Sequence, residues 1–183
     1  MNQFEESRLR FEFGERWRVF KFDTHPYYRT QMKRLDDTKA IDFLGILDSK
    51  ELYFIEVKNY RAYRIESKDK LPTLPVEVAQ KIRDSLACMI AAYRNSSNSE
   101  HWKPYVELLC DTNHTIKVIV WIEEDFPPSH PHLRQKALAS MRTKAFKQKL
   151  SWLTKRVLVC GSRKHSLPNL TVSFLPHRNE ETK

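Results

Sequence analysis

Residues 39–61, KAIDFLGILDSKELYFIEVKNYR, decide how this chain folds. Two apolar runs, Leu44-Gly45-Ile46-Leu47 and Leu52-Tyr53-Phe54-Ile55, flank the turn-forming Asp48-Ser49-Lys50 and read as a β-hairpin. Such unbroken apolarity predicts strands covered on both faces. Within it stand Asp42, between Ile41 and Phe43, and Glu56 and Lys58, on either side of Val57. A carboxylate in that setting costs free energy unless it is paired or holds a cation.

Strand geometry makes a strict demand on this hairpin. Side chains alternate, so Glu56 and Lys58 share one face and Val57 takes the other. A two-residue turn at Ser49-Lys50 would pair Asp42 with Val57 and separate the carboxylates. A loop of odd length, such as 48–50, pairs Asp42 with Glu56 instead. Gathered on one face, the two carboxylates suit Mg²⁺ or Mn²⁺, with the Val57 carbonyl as a further oxygen ligand. Such a cation activates water and screens a phosphodiester, while Lys58 orients the nucleophile and offsets developing charge. The alternative for Glu56-Val57-Lys58 is an exposed cross-strand charge pattern. The apolar flanks favour the buried reading.

Ile41-Asp42, followed fourteen residues after the Asp by Glu56-Val57-Lys58, resembles the signature of the PD-(D/E)xK nuclease superfamily. Restriction endonucleases and archaeal Holliday-junction resolvases belong to it, and the IEVKNYR wording is similar to resolvase and Mrr-type members. The resemblance covers roughly residues 4–125, and Ile41 stands where the naming proline would be. It implies an α/β restriction-endonuclease-like fold, a mixed central sheet flanked by helices. It also implies metal-dependent phosphodiester hydrolysis, in DNA first, with Asp42 and Glu56 as Mg²⁺ or Mn²⁺ ligands and Lys58 acting on the nucleophile. An auxiliary ligand from the first helix would be Glu6, or else Glu5. Gln80 and Lys81, from the helix after the second strand, would face the site, or else be solvated.

Around this centre, residues 3–16 read as an amphipathic helix with Glu6, Leu9 and Phe13 on its inner face. Residues 17–23 alternate as a strand, and 25–37 form a basic loop with Tyr27, Tyr28 and Arg29. Residues 76–94 are a helix burying Val78, Ile82, Leu86, Met89, Ile90 and Tyr93. Residues 95–100 are a loop, 102–110 a short helix or extended packing segment, and 116–123 a central strand. A helix over 131–156 turns Leu133, Ala137, Met141, Leu150 and Leu153 inward, and 156–161 and 170–175 are the last strands. Cys88, Cys110 and Cys160 read as reduced core residues of a cytoplasmic protein.

Charge is distributed unevenly. Residues 1–125 hold 20 Lys/Arg against 21 Asp/Glu, whereas 126–179 hold 11 Lys/Arg and no acidic residue, so the net +9 arises there. An uncompensated positive surface points to a polyanion, nucleic acid before membrane, with salt-sensitive binding. Arg61, Arg64, Lys81, Arg142, Lys144 and Lys147 are the candidate phosphate contacts. Tyr60 to Arg64 interleaves aromatic and basic side chains as a nucleic-acid contact does. No apolar run is long enough for a membrane span, and residues 1–10 lack the apolar centre of a signal peptide. Residues 1–125 read as the nuclease-like core, and 126–183 as a basic helix and strands completing the same domain. Cutting both strands of a duplex would call for a homodimer. The other class that fits is an inactive nucleic-acid-binding or assembly module on the same fold.

Overall fold

The computed structural model describes residues 2–61, 72–125, 132–163 and 165–176. Five strands form a mixed sheet in the order β3-β4-β5-β6-β7. They are β3 (Trp17–Lys21), β4 (Phe43–Leu47), β5 (Glu51–Asn59), β6 (Thr115–Glu123) and β7 (Val157–Cys160). The first three run antiparallel, whereas β5-β6 and β6-β7 are parallel. Parallel neighbours need crossovers, and the intervening helices supply them. These are α2 (Leu74–Asn95) and α3 (Ser99–Cys110) before β6, and α4 (His132–Leu150) before β7. A short α1 (Pro26–Thr30) and a 3₁₀ turn (Met32–Arg34) occupy the segment expected to be an irregular loop. His25 caps α1 by accepting the Tyr27 N–H, and Pro26 opens it, so the segment has a helix start.

The hairpin obeys the parity demand. Phe43 pairs with Ile55 and Leu47 with Glu51, leaving 48–50 as a three-residue loop. One step beyond β4, the same register sets Asp42 opposite Glu56. Asp48 and Ser49 adopt φ of 53° and 56°, a left-handed turn that suits the twist of the strands. Arg16 grips the Asp48 carboxylate with Nε and Nη2 and fixes that turn.

A second sheet, β1-β2-β8, packs over the first. It comprises β1 (Asn2–Glu6), β2 (Leu9–Phe13) and β8 (Leu170–Phe174). The helix expected over residues 3–16 is therefore replaced by a hairpin that turns at Ser7 and Arg8, both with positive φ. Leu9, Phe11 and Phe13 alternate inward and are fully buried, a period of two that a helix cannot place on one face. These three pack with Trp17, Phe43, Tyr53, Ile55, Val57 and Trp121 in one core between the sheets. Leu44, Ile46, Leu52 and Phe54 point the other way, into a larger core beneath the helices. Even-numbered residues of the hairpin thus face α2, and odd-numbered ones face the small sheet.

Several expected side-chain placements are corrected. On α2, Val78, Ile82, Leu86 and Met89 are buried, but Ile90 and Tyr93 are exposed, because the covered stripe is turned toward Ser85, Cys88 and Ala92, which are buried instead. The helix α3 starts at Ser99, inside the expected loop, and settles 102–110 as helical. On α4, Phe146 and Leu150 carry the core contact, while Met141 is 69% exposed and Ala137 is exposed. The helix ends at Leu150 rather than Arg156, and Leu153, partly buried, packs from the turn beyond it. The side chain of Leu133 lies outside the described residues. Cys88 is buried and Cys160 partly so, but Cys110 is exposed at the end of α3. No helix among the described residues is long and apolar enough to cross a membrane.

Candidate active site

The carboxyl ends of the parallel strands β5 and β6 are where an open α/β sheet places its ligands, and the acidic residues gather there. Asp42 is 6% exposed and Glu56 1%, two of the four buried polar or charged side chains among the described residues. Asp42 is anchored from both sides. Its Oδ2 accepts the Val57 N–H at 2.6 Å, and its carbonyl accepts the Phe22 N–H at 2.8 Å. The segment leading into it is held by α2. Lys39 N–H donates to Asp84, Lys39 Nζ to Gln80 Oε1 at 2.9 Å, and Ile41 N–H to the buried Ser85 hydroxyl. Gln80 therefore reaches the site indirectly, through Lys39.

Glu6, expected from a helix, arrives from the end of β1. Its carboxylate meets those of Asp23 and Asp42, one oxygen of each lying within 4.8 Å of the others. Lys21 pairs with Glu6 at 2.7 Å, and Ser7 donates to it at 2.9 Å. Glu5 instead pairs with Arg10 on the exposed side of the hairpin, so of the two glutamates it is Glu6 that meets Asp23 and Asp42.

Glu56 lies outside that triad and is surrounded by cations. Lys81 Nζ is 2.6 Å from its Oε1 and 3.9 Å from Asp42 Oδ1, so one ammonium bridges the two hairpin carboxylates. Lys58 Nζ is 3.2 Å from the same Oε1 and 2.9 Å from Glu77 on the first turn of α2. Glu77 and Lys81, four residues apart, share one face of α2 and meet Lys58 and Glu56 respectively. Glu56 Oε2 and Asp23 Oδ1 are both buried without a hydrogen-bond partner.

Burial pushes the Asp42 carboxyl up to about 8, with the Glu56 and Glu6 charges adding to it and Lys81 and the Val57 N–H opposing. Burial likewise raises Glu56, against Lys81 and Lys58, and raises Asp23. Asp42, Glu56 and Asp23 are thus each held against ionisation, and two of the three keep an unpartnered oxygen. The donor set is all hard oxygen, which fits Mg²⁺ or Mn²⁺. Glu6, Asp23 and Asp42 are placed to hold such an ion together, with Glu56 joined to Asp42 through Lys81.

The remaining expected site residues are distributed as follows. Val57 contributes its N–H to Asp42, while its side chain is buried in the opposite core. Arg61 lies on the rim, its guanidinium 3.5 Å over the Phe174 ring and its N–H and Nε donating to Asn59 Oδ1 at 3.2 Å. Asn59 in turn donates to the Ser7 carbonyl, tying that rim to Glu6. Arg142 is paired with Glu124 at 2.7 Å, so its charge is already partnered. Lys144 and Lys147 are exposed on α4. Arg64 lies outside the described residues. Asp23 and Glu77 were not singled out in the sequence; each gains its meaning from a partner distant along the chain.

No protein-family model matches the chain, and no solved structure matches it. Among curated proteins it is similar to a cysteine–tRNA ligase of Neisseria meningitidis serogroup A, 29% identical over 188 aligned positions. The match takes in 87% of this chain and 26% of the ligase, so the chain spans about a quarter of that relative's length.

Proposed function

We propose that the chain is a divalent-metal-dependent nuclease of the PD-(D/E)xK type, hydrolysing phosphodiester bonds, in DNA first. The observation that carries the reading is the meeting of Glu6, Asp23 and Asp42 within 4.8 Å of one another, beside a buried Glu56 with a free oxygen and Lys58. The antiparallel β3-β4-β5 meander, helical crossover and parallel β6 support a restriction-endonuclease-like core. So does the odd-length hairpin loop, which the resemblance did not specify but the chemistry required.

In this reading Glu6, Asp23, Asp42 and Glu56 hold Mg²⁺ or Mn²⁺, which supplies Lewis-acid charge and an activated water when bound. Val57 N–H and the α2 contacts to 39–41 keep Asp42 aimed. Lys58 stays a cation between Glu56 and Glu77 and meets the charge that develops on the phosphate. Arg61, preorganised on Phe174, and the exposed Lys144 and Lys147 hold the backbone on either side. The test is cleavage of labelled single-stranded, duplex and branched DNA, and of tRNA, with Mg²⁺ or Mn²⁺ against EDTA. The relative's name joins tRNA to that protein, which is why tRNA belongs in the panel. Cutting that needs the ion and is lost in Asp42→Ala supports the reading; metal-independent cutting, or none, overturns it.

The second reading, a binding module without catalysis, is favoured by one observation. Lys81 already bridges Asp42 and Glu56, giving the site a built-in cation. The two readings diverge in Lys81→Met. Losing one partner of buried Glu56 is expected to lower stability in EDTA by about 3 kcal/mol. If the carboxylates are a metal centre, Mn²⁺ recovers more of the melting temperature in Lys81→Met than it adds to wild type. Equal Mn²⁺ shifts in thermal melts of both proteins would favour the binding module.

A further inference from the structure

Trp152, in the turn after α4, is 55% exposed, whereas Trp17, Trp102 and Trp121 are buried. It closes a cavity of about 430 Å³ with Val76, Ala79, Gln80, Arg83 and Lys149. The floor is apolar and the two charged lining residues are both cations. Lys149 is exposed, and Arg83, paired with Asp84 along the helix at 2.8 Å, keeps its side chain 67% exposed. A larger cavity of about 840 Å³, beside the hairpin loop, has a mixed lining in which Glu15, Glu107 and Asp111 stand with Arg16 and Arg18.

The groove is next to the carboxylate site. Val76, Gln80 and Arg83 stand on one face of α2, and Glu77 and Lys81 on the adjoining face. Gln80 belongs to both, since it lines the groove and accepts from Lys39, three residues before Asp42. The groove and the Lys58–Glu56 pair thus lie on neighbouring faces of one helix. Lys149, like Lys144 and Lys147, is exposed on α4, in the stretch without acidic residues.

We propose that this groove seats an unpaired base of the substrate strand on Trp152, with Lys149 and Arg83 meeting the flanking phosphates. The preferred substrate is then a single strand or a frayed or flapped end. The inference rests on the nuclease reading and adds the substrate class to it. A paired base is stacked on both faces and offers a protein only its edges; an unpaired base offers the π-face that an exposed indole takes up.

Because the other three tryptophans are buried, the solvent-exposed emission of the full chain reports Trp152. In EDTA, where nothing is cut, a single-stranded oligonucleotide is expected to quench that emission and shield it from iodide, while a blunt duplex leaves it unchanged. Trp152→Ala should weaken single-strand binding about 5- to 150-fold, the range for one lost base–aromatic stack, and change duplex binding less than twofold. Trp152→Phe should keep most of the affinity. Equal weakening of both ligands, or of neither, overturns the proposal. So does emission that answers to protein concentration instead of oligonucleotide, which would assign the groove to a second copy of the chain. Hydrolysis without any single-strand preference sinks this inference and leaves the nuclease reading intact; the preference without hydrolysis does the reverse.

Discussion

Lys58→Ala is expected to lower metal-dependent cleavage by about 10²–10³-fold, the cost of removing one preorganised charge aimed at a transition state. Burial by itself pushes the Lys58 ammonium towards deprotonation. The Glu56 charge and the Glu77 hydrogen bond more than reverse this, and the net direction is upward. Lys58 is thus a fixed cation throughout the neutral range and cannot serve as a general base there. Two consequences separate this role from that of a base. The rate should show no limb between pH 6 and 10 that disappears in Lys58→Ala. Glu77→Gln, which frees one side of the ammonium without touching Glu56, should cost about tenfold through mispositioning. Single-turnover cleavage of end-labelled strands measures both. A Lys58→Ala protein retaining more than a tenth of the wild-type rate would remove Lys58 from the mechanism.

Much of this arrangement was legible in residues 39–61 because a hairpin is local. Alternation, a three-residue loop and apolar flanks are enough to set Asp42 beside Glu56, and the observed register does so. Residues 3–16 misled for a physical reason. Glu6, Leu9 and Phe13 satisfy a helical spacing, while Leu9, Phe11 and Phe13 satisfy a strand. The turn between the strands is made by Ser7 and Arg8 at positive φ, without the glycine or asparagine that usually announces it. What decides for the strand is Phe11, which the helical reading leaves outside and the small sheet buries against Phe43 and Trp121.

Asp23 was illegible for a different reason. It lies just past the end of β3, and only the stacking of one sheet on the other brings Glu6 to it. No periodicity within a window of ten or so residues encodes that meeting. The basic third was read correctly in sign but not in detail. Arg142, which composition makes a free cation, is spent on Glu124, and the exposed faces of α4 and Trp152 carry what remains. Charge counts locate a surface; they do not say which cations the fold has already paired.

Asp42→Asn is expected to melt about 10 °C above wild type at pH 9 in EDTA and level with it near pH 4. An unfolded aspartate titrates near 3.9, whereas in the fold burial, with Glu56 and Glu6 nearby, holds Asp42 at about 8. The folded state therefore favours the protonated form. Its contribution to stability is fully present below the unfolded value and is lost as pH rises through about 8. Above that, the four-unit gap amounts to as much as about 5 kcal/mol, or roughly 2–4 °C of melting temperature per kcal/mol at this chain length. Asparagine keeps an oxygen for the Val57 N–H and carries no charge to bury, so it escapes the loss. Mg²⁺ should invert the order, raising the wild-type melt at pH 9 and leaving the variant nearly unmoved, because the ion stabilises only a chain that binds it. Differential scanning calorimetry at pH 4 and 9, with EDTA and with Mg²⁺, gives all four values for each protein. Parallel pH profiles for wild type and Asp42→Asn would mean that Asp42 titrates as an ordinary surface carboxylate. A wild type that Mg²⁺ does not stabilise would mean that the strain at this site has some purpose other than holding a cation.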